Sequence, residues 1–576
     1  MNSLVLTALM MIGYLVAYHT YGKFLARRIF KLNPRAVCPS TALQDNHDFV
    51  PTKKHILFGH HFTSIAGLGP IVGPAIAIIW GWVPAVIWVF IGSIFFGAVH
   101  DFGALVVSLR ASGRSIGDLA ADIVNKRVRT LFLLIIFFEL WIVIAVFALV
   151  IAILFTMYPV AVIPVWSELV IAFFLGQWIY KKGRNIFWPS VIAVIIMYIT
   201  VVIGAYFPVD FKVLFNMSAK SALITWIITV LVLSAWLASS LPVQTLLQPR
   251  DFINSHQLII AMALLTLGII VARPTIVAPA ANFAVKGAPP VLPFIFVVIA
   301  CGAISGFHSL VSSGTSSKQC DAEQSSLFIG YGGMLMEGAL SALVIAAVSA
   351  GIGLGLTGKG GEVFIGIAAF NHHYASWGSA AGLGSKLGAF IQGSANMIQS
   401  YGIPVKIALA VMAVFIVSFA STTIDTATRI QRYVVVELAN AWNLKPLIKR
   451  QAGTLFAVIT AFILAFYDGS GKGALKLWPL FGSVNQLLAG LALLVTTIYL
   501  ARRKVNIAYT GIPMVFMIIM TGWAMVLNIQ KFYGISNWLL FFIGLAVFVL
   551  EIWMIIESAV VLKKVYSSGG NQGDIL

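Results

Sequence analysis

The sequence predicts an all-α polytopic membrane protein with about fifteen transmembrane helices. Three observations carry that reading. The 576-residue chain is 60% hydrophobic and only 10% charged, with a mean hydropathy of +0.97. Soluble domains are about a quarter charged. Apolar runs of about 20 residues, the length of a bilayer crossing, recur from end to end. Finally, when alternate loops are assigned to opposite sides, 27 of the 37 Lys and Arg residues fall on one side. Short basic loops stay cytoplasmic, so the N-terminus is expected outside and the C-terminus in the cytoplasm. The net charge of +18 is thereby read as topology, and no nucleic-acid partner is expected.

In chain order the expected spans lie near 3–22, 61–80, 83–109, 130–156, 162–180, 188–206, 220–240, 255–272, 292–312, 327–356, 405–428, 453–467, 477–500, 508–528 and 536–562. Residues 3–22 lack a basic leader and a small-residue cleavage site, so they read as a retained first helix. The basic loops are 23–60, 110–129, 181–187, 429–452, 502–504 and 563–564, with Arg250 and Lys318 counted as single loop charges. Residues 357–404, rich in Gly and Ser, are expected as a re-entrant or surface-lying cover over an outer mouth. The tail SSGGNQGDIL is expected to be disordered. Cys38, Cys301 and Cys320 show neither a disulfide framework nor metal-type spacing.

Two spans are built unlike the rest. GHHFTSIAGLGPIVGP (59–74) and CGAISGFHSLVSSGTSS (301–317) both set a histidine and hydroxyls among closely spaced glycines, and their expected directions are opposite. Glycine and proline free backbone groups from the helical ladder, which hydrocarbon tolerates only where protein, water or ligand satisfies them. Paired broken helices of opposite direction are how inverted-repeat transporters build a midplane site. The expected organisation is then an N-terminal helix and cytoplasmic loop (1–60), a first repeat (61–206), an inserted helix pair (207–291), a second repeat (292–500), and C-terminal helices with a tail (501–576). A second register, with the second half starting at 220, also satisfies the topology.

Candidate substrate-binding residues follow from the breaks: His61, Thr63, Ser64, Gly67 and Gly69 in the first, and Ser305, Gly306, His308 and Ser309 in the second. A substrate carboxylate is expected against amides freed in 64–70 and 305–309, half-helix ends supplying positive potential without a buried Lys or Arg. Intramembrane ionisable groups are costly and so are functional candidates: His100 and Asp101 in VHDF and Glu139 for ion coupling, and Glu337 with no role assigned. In SFASTTIDTATRIQRY, Ser421, Thr422 and Asp425 share one helix face and offer three oxygens to a proton or Na⁺, with an Asp425–Arg429 pair as the bland alternative. There is no GxSxG, HExxH or nucleotide loop, so no enzyme is expected. His60, His61, His100, Asp101 and His308 match no established ligand spacing, so neither a metal nor a cofactor is expected.

The strings FGHHFTSIAGLGPIVGPAIA, GAVHDFGALVVSLRASGRSIGDL, LLQPRDF, ACGAISGFHSLVSSGTSSKQ and FASTTIDTATRIQRY resemble the carbon starvation protein A family. That resemblance implies an inner-membrane secondary transporter for peptides or pyruvate, the latter by proton symport. It also implies a leucine-transporter-type core of inverted five-plus-five repeats with extra helices. In sodium-coupled relatives of that architecture a Ser/Thr pair on the eighth core helix faces the first broken helix, a role that would fall to Ser421 and Thr422. The expected partners are a small carboxylate or peptide, a coupling cation (H⁺ before Na⁺) and membrane lipid. The alternatives are a metal-handling membrane protein with a His/Asp site, or a channel. Oligomeric state has no signature in the sequence.

Overall fold

The computed structural model describes residues 2–178, 187–358 and 360–567. Most of the basic loop 181–187 and nearly all of the C-terminal tail lie outside them. Among the described residues the protein is almost entirely helical, and twelve helices are long and apolar enough to cross a membrane. A bent pair, Lys54–Ala66 and Gly69–Trp80, makes a thirteenth crossing if taken as one span. Two further expected spans are shorter pieces. The region around 292–312 is two short helices, Val291–Val298 and Gly306–Gly314, and that around 453–467 is the single helix Arg450–Phe466.

Burial sorts these helices into a core and a lipid-facing shell. Leu327–Leu354 and Trp478–Arg502 are buried along nearly their whole length, whereas Ser3–Ile29 and Trp538–Val565 are largely exposed. What they expose is apolar: Leu9, Leu15, Phe174 and Phe542 are each more than 60% accessible. Such a surface is unfavourable in water and ordinary in hydrocarbon. The two longest helices, Lys126–Met157 and Val405–Ala441, pack against each other. At about 1.5 Å per residue, the 37 residues of Val405–Ala441 exceed a hydrocarbon core of about 30 Å. Its end beyond Thr428 therefore projects out of the membrane, carrying Arg429, Arg432 and Glu437.

That projecting end is locked by the loop 45–52. Asp48 accepts from Arg429 (3.1 Å), Arg432 (3.3 Å) and Tyr433 (2.8 Å). The Val50 and Thr52 amides donate to the carbonyls of Lys318 and Gln319. Burial alone would raise the Asp48 carboxyl, but His47, Arg432 and Arg429 more than reverse it and hold it well below the usual carboxylate range. The expected alternative for Arg429, a pair with Asp425, does not form: its guanidinium serves Asp48 and the Leu241 carbonyl instead.

At the opposite end, the described residues of 356–404 form a short hairpin and three helices. The helix Leu383–Gln399 is buried against Val405–Ala441. Tyr374 donates to the Ala75 carbonyl (2.6 Å), and the Trp377 ring lies 5.3 Å from that of Trp80.

Candidate functional site

The first interrupted segment breaks where glycine allows it. Gly67 adopts φ +42°, ψ −140°, which ends Lys54–Ala66, and the chain re-enters helix at Gly69 with Pro70 in its first turn. The bend is 42°. In the second segment, residues 299–305 connect Val291–Val298 to Gly306–Gly314. The breaks touch. A Cβ at Gly69 would collide with the Cys301 thiol, and one at Gly73 would stand 3.2 Å from the Ile299 Cα. Ser341 donates to the freed Pro70 carbonyl (3.1 Å).

A Cβ at Gly67 would also stand 2.6 Å from the Thr423 hydroxyl. Gly67→Ala combines that contact with positive-φ strain, and is expected to lower stability by about 2–3 kcal/mol. Gly366 has φ +62° with open space around it, so Gly366→Ala carries strain alone, about 1–2 kcal/mol. Thermal unfolding in detergent should rank the two in that order.

The first broken span separates two buried polar clusters, and its adjacent histidines face different ones. His60 stands 2.5 Å from Asp251 and 3.3 Å from the Thr315 hydroxyl, whereas His61 meets Ser316 at 2.9 Å. Consecutive helical positions are about 100° apart, which lets one helix serve both sides.

On the His60 side the central group is Arg250, 1% exposed. One guanidinium nitrogen is 2.5 Å from Asp425, another donates to Thr422 (3.0 Å), and Nε is 3.6 Å from Glu168. Asn254 also donates to Thr422 (2.7 Å), and Ser418 donates to Glu168 (2.8 Å). Ser64 and Thr426 are hydroxyl partners at 3.1 Å, tying this cluster to the broken span. Ser421 lines a small cavity with Arg250, Glu168 and Ser234.

Two expectations need correction here. Arg250 is not a loop charge, because the helix starts at Leu247, earlier than its hydropathy indicates. The site therefore does contain a buried arginine. Thr422 and Asp425, expected as open oxygens for a cation, are already engaged by that guanidinium.

On the His61 side, Asp101 bridges two imidazoles, with His100 Nδ1 at 2.7 Å and His308 Nδ1 at 3.0 Å. His308 Nε2 lies 3.3 Å from Glu337. Glu139 is fully buried, and neither of its oxygens has a hydrogen-bond partner among the described residues. The amide end expected to hold substrate at 305–309 is partly spent: Asn485 Oδ1 accepts from both the Ser305 hydroxyl and the Phe307 amide, each at 3.0 Å. A Cβ at Gly306 would run into the Asn485 carbonyl, so that glycine serves helix packing. Thr63 and Ser309 donate to carbonyls of their own helices (2.8 and 2.7 Å), which leaves their hydroxyls locally satisfied.

Glu168, Asp251 and Asn254 are among the polar groups of these clusters that the sequence reading does not name, and Arg250 enters it only as a loop charge. Pro249 beside Arg250 was the available signal, since proline is at home in a first helical turn.

Residues 2–524 match the family model described as carbon starvation protein CstA. The peptide transporter CstA of Campylobacter jejuni is 32% identical over 88% of this chain and 78% of its own length. The pyruvate/proton symporter BtsT of Escherichia coli is 31% identical over 90% of this chain and 80% of its own. The peptide transporter CstA of Bacillus subtilis is 31% identical over 91% and 90%, respectively.

Proposed function

This chain belongs to the carbon starvation protein CstA family, and from that premise we propose that it imports a small carboxylate such as pyruvate, or a short peptide, together with a proton. The observation that carries the reading is Arg250, buried among Asp425, Glu168 and Thr422. A buried guanidinium offers a planar fork that suits a carboxylate, but here acidic side chains hold it. Protonating Asp425 weakens that hold and frees the fork for the substrate carboxylate, so proton and substrate favour the same state. Release of the proton lets Asp425 recapture Arg250 and expel the substrate. One proton accompanies one monocarboxylate, so the cycle moves no net charge.

Proton coupling is preferred to Na⁺ because the guanidinium already stands against Thr422 and one Asp425 oxygen, two of the oxygens a hard cation would need. The touching breaks at Gly69 and Cys301 support an inverted pairing of 61–206 with 292–500 around this site, with 207–291 supplying Arg250. The fifteen-span topology, with the C-terminus in the cytoplasm of the inner membrane, belongs to the same reading.

Uptake of labelled pyruvate and of a dipeptide into proteoliposomes tests it. An inward proton gradient should drive accumulation of one or both, a Na⁺ gradient should not, and an imposed potential should leave the pyruvate rate within about twofold. Flux indifferent to the proton gradient would sink the coupled mechanism.

A further inference from the structure

We propose that Cys301, His308 and Glu337 form a binding site for a borderline transition-metal dication, with zinc as the reference ion. The three come from different elements: the second break, the helix after it, and the buried helix Gly332–Ser349. One donor atom from each lies within 4.8 Å of the other two, and His308 Nε2 stands 3.3 Å from the Glu337 carboxylate. Donors on one tetrahedral zinc stand about 3.3–3.6 Å apart, given bonds of about 2.0–2.3 Å. A small adjustment of the thiol completes that triangle, leaving a fourth position open.

The polar bookkeeping points the same way. His308 and Glu337 are fully buried, and His308 Nε2 and both Glu337 oxygens lack a hydrogen-bond partner among the described residues. Orphaned polar atoms in a low-dielectric interior are costly, and one dication answers His308 Nε2 and a Glu337 oxygen together. On its other side His308 Nδ1 is held at 3.0 Å by Asp101, itself held by His100 at 2.7 Å. A carboxylate behind an imidazole sets the tautomer that presents Nε2 to a metal. Thiolate, imidazole and carboxylate together suit zinc-like ions, whereas magnesium and calcium take oxygen ligands. Gly69 leaves the space into which the Cys301 thiol projects. The competing account is a proton shared between His308 and Glu337, which needs no thiol.

The experiment uses the full chain, freed of any histidine tag and stripped of metal, in detergent. Zinc titration should give one site per chain, weakened at least tenfold in Cys301→Ser and in His308→Ala. Asp101→Asn should weaken it by about 10–100-fold. Cobalt should give a thiolate-to-metal absorption band that Cys301→Ser removes. A second readout avoids altering the site: in a Cys38→Ser/Cys320→Ser chain, zinc should slow maleimide labelling of Cys301 at least tenfold, and a chelator should restore it. Zinc binding that is absent, or equal in the wild type and Cys301→Ser, overturns the proposal, as does labelling indifferent to zinc.

Discussion

Arg250→Ala is expected to abolish substrate uptake, lowering the proton-driven initial rate at least about 100-fold. The guanidinium is the only buried cation placed against Asp425 and Glu168 among the described residues, so alanine removes the group proposed to receive the substrate carboxylate. It also strands two acids in a low-dielectric interior. Breaking a buried pair by deleting one partner costs about 3–5 kcal/mol, so lost transport alone would not separate binding from folding. The double variant Arg250→Ala/Asp425→Asn separates them, because it relieves most of the stranded charge. It should recover a monodisperse, thermally stable protein that still fails to transport. Arg250→Lys keeps the charge but replaces a fork with a point. It should fold and transport slowly, with KM raised more than the maximal rate is lowered. Wild-type uptake in a folded Arg250→Ala protein would remove the arginine from the substrate site.

The contrast between Arg250 and Gly67 explains what the sequence could disclose. Gly67, Gly69 and Pro70 break a helix through their own backbone chemistry, so a break within 64–73 is legible from the string, and it lies at Gly67–Leu68. The cost of ionisable groups in hydrocarbon likewise marked Asp101, Glu139, Glu337 and Asp425 before any contact was known. Their partners were not legible. Asp101 meets His308 from 207 positions away, and Asp425 meets Arg250 from 175, distances at which local pattern carries no information. Arg250 escaped for a different reason. A hydropathy window places a span boundary where charge begins, and here the polar turn Gln248–Asp251 is the buried start of the helix. Neighbours built the polar setting that hydropathy assigns to water.

Asp425→Asn is expected to uncouple transport while leaving binding intact. Asparagine nearly preserves the shape and keeps an acceptor oxygen for Arg250, but it can neither titrate nor carry a full charge to compete with the substrate. The guanidinium is then available to a carboxylate at every pH. Substrate binding should be at least as tight as in the wild type, and exchange of labelled for unlabelled substrate should persist. Accumulation driven by a proton gradient should fall at least about tenfold, because loading and unloading no longer require a proton. Glu168 supplies the comparison: it stands farther from Arg250, at 3.6 Å, and is held by Ser418. Glu168→Gln should therefore reduce the driven rate less than Asp425→Asn does. Measuring exchange and driven uptake on the same vesicles makes the assignment sharp, since a merely misfolded protein loses both. If Asp425→Asn accumulates substrate at the wild-type level under a proton gradient, the coupling proton sits elsewhere. The His100–Asp101–His308 cluster would then be next to test, because there too a buried carboxylate is shared between two helices.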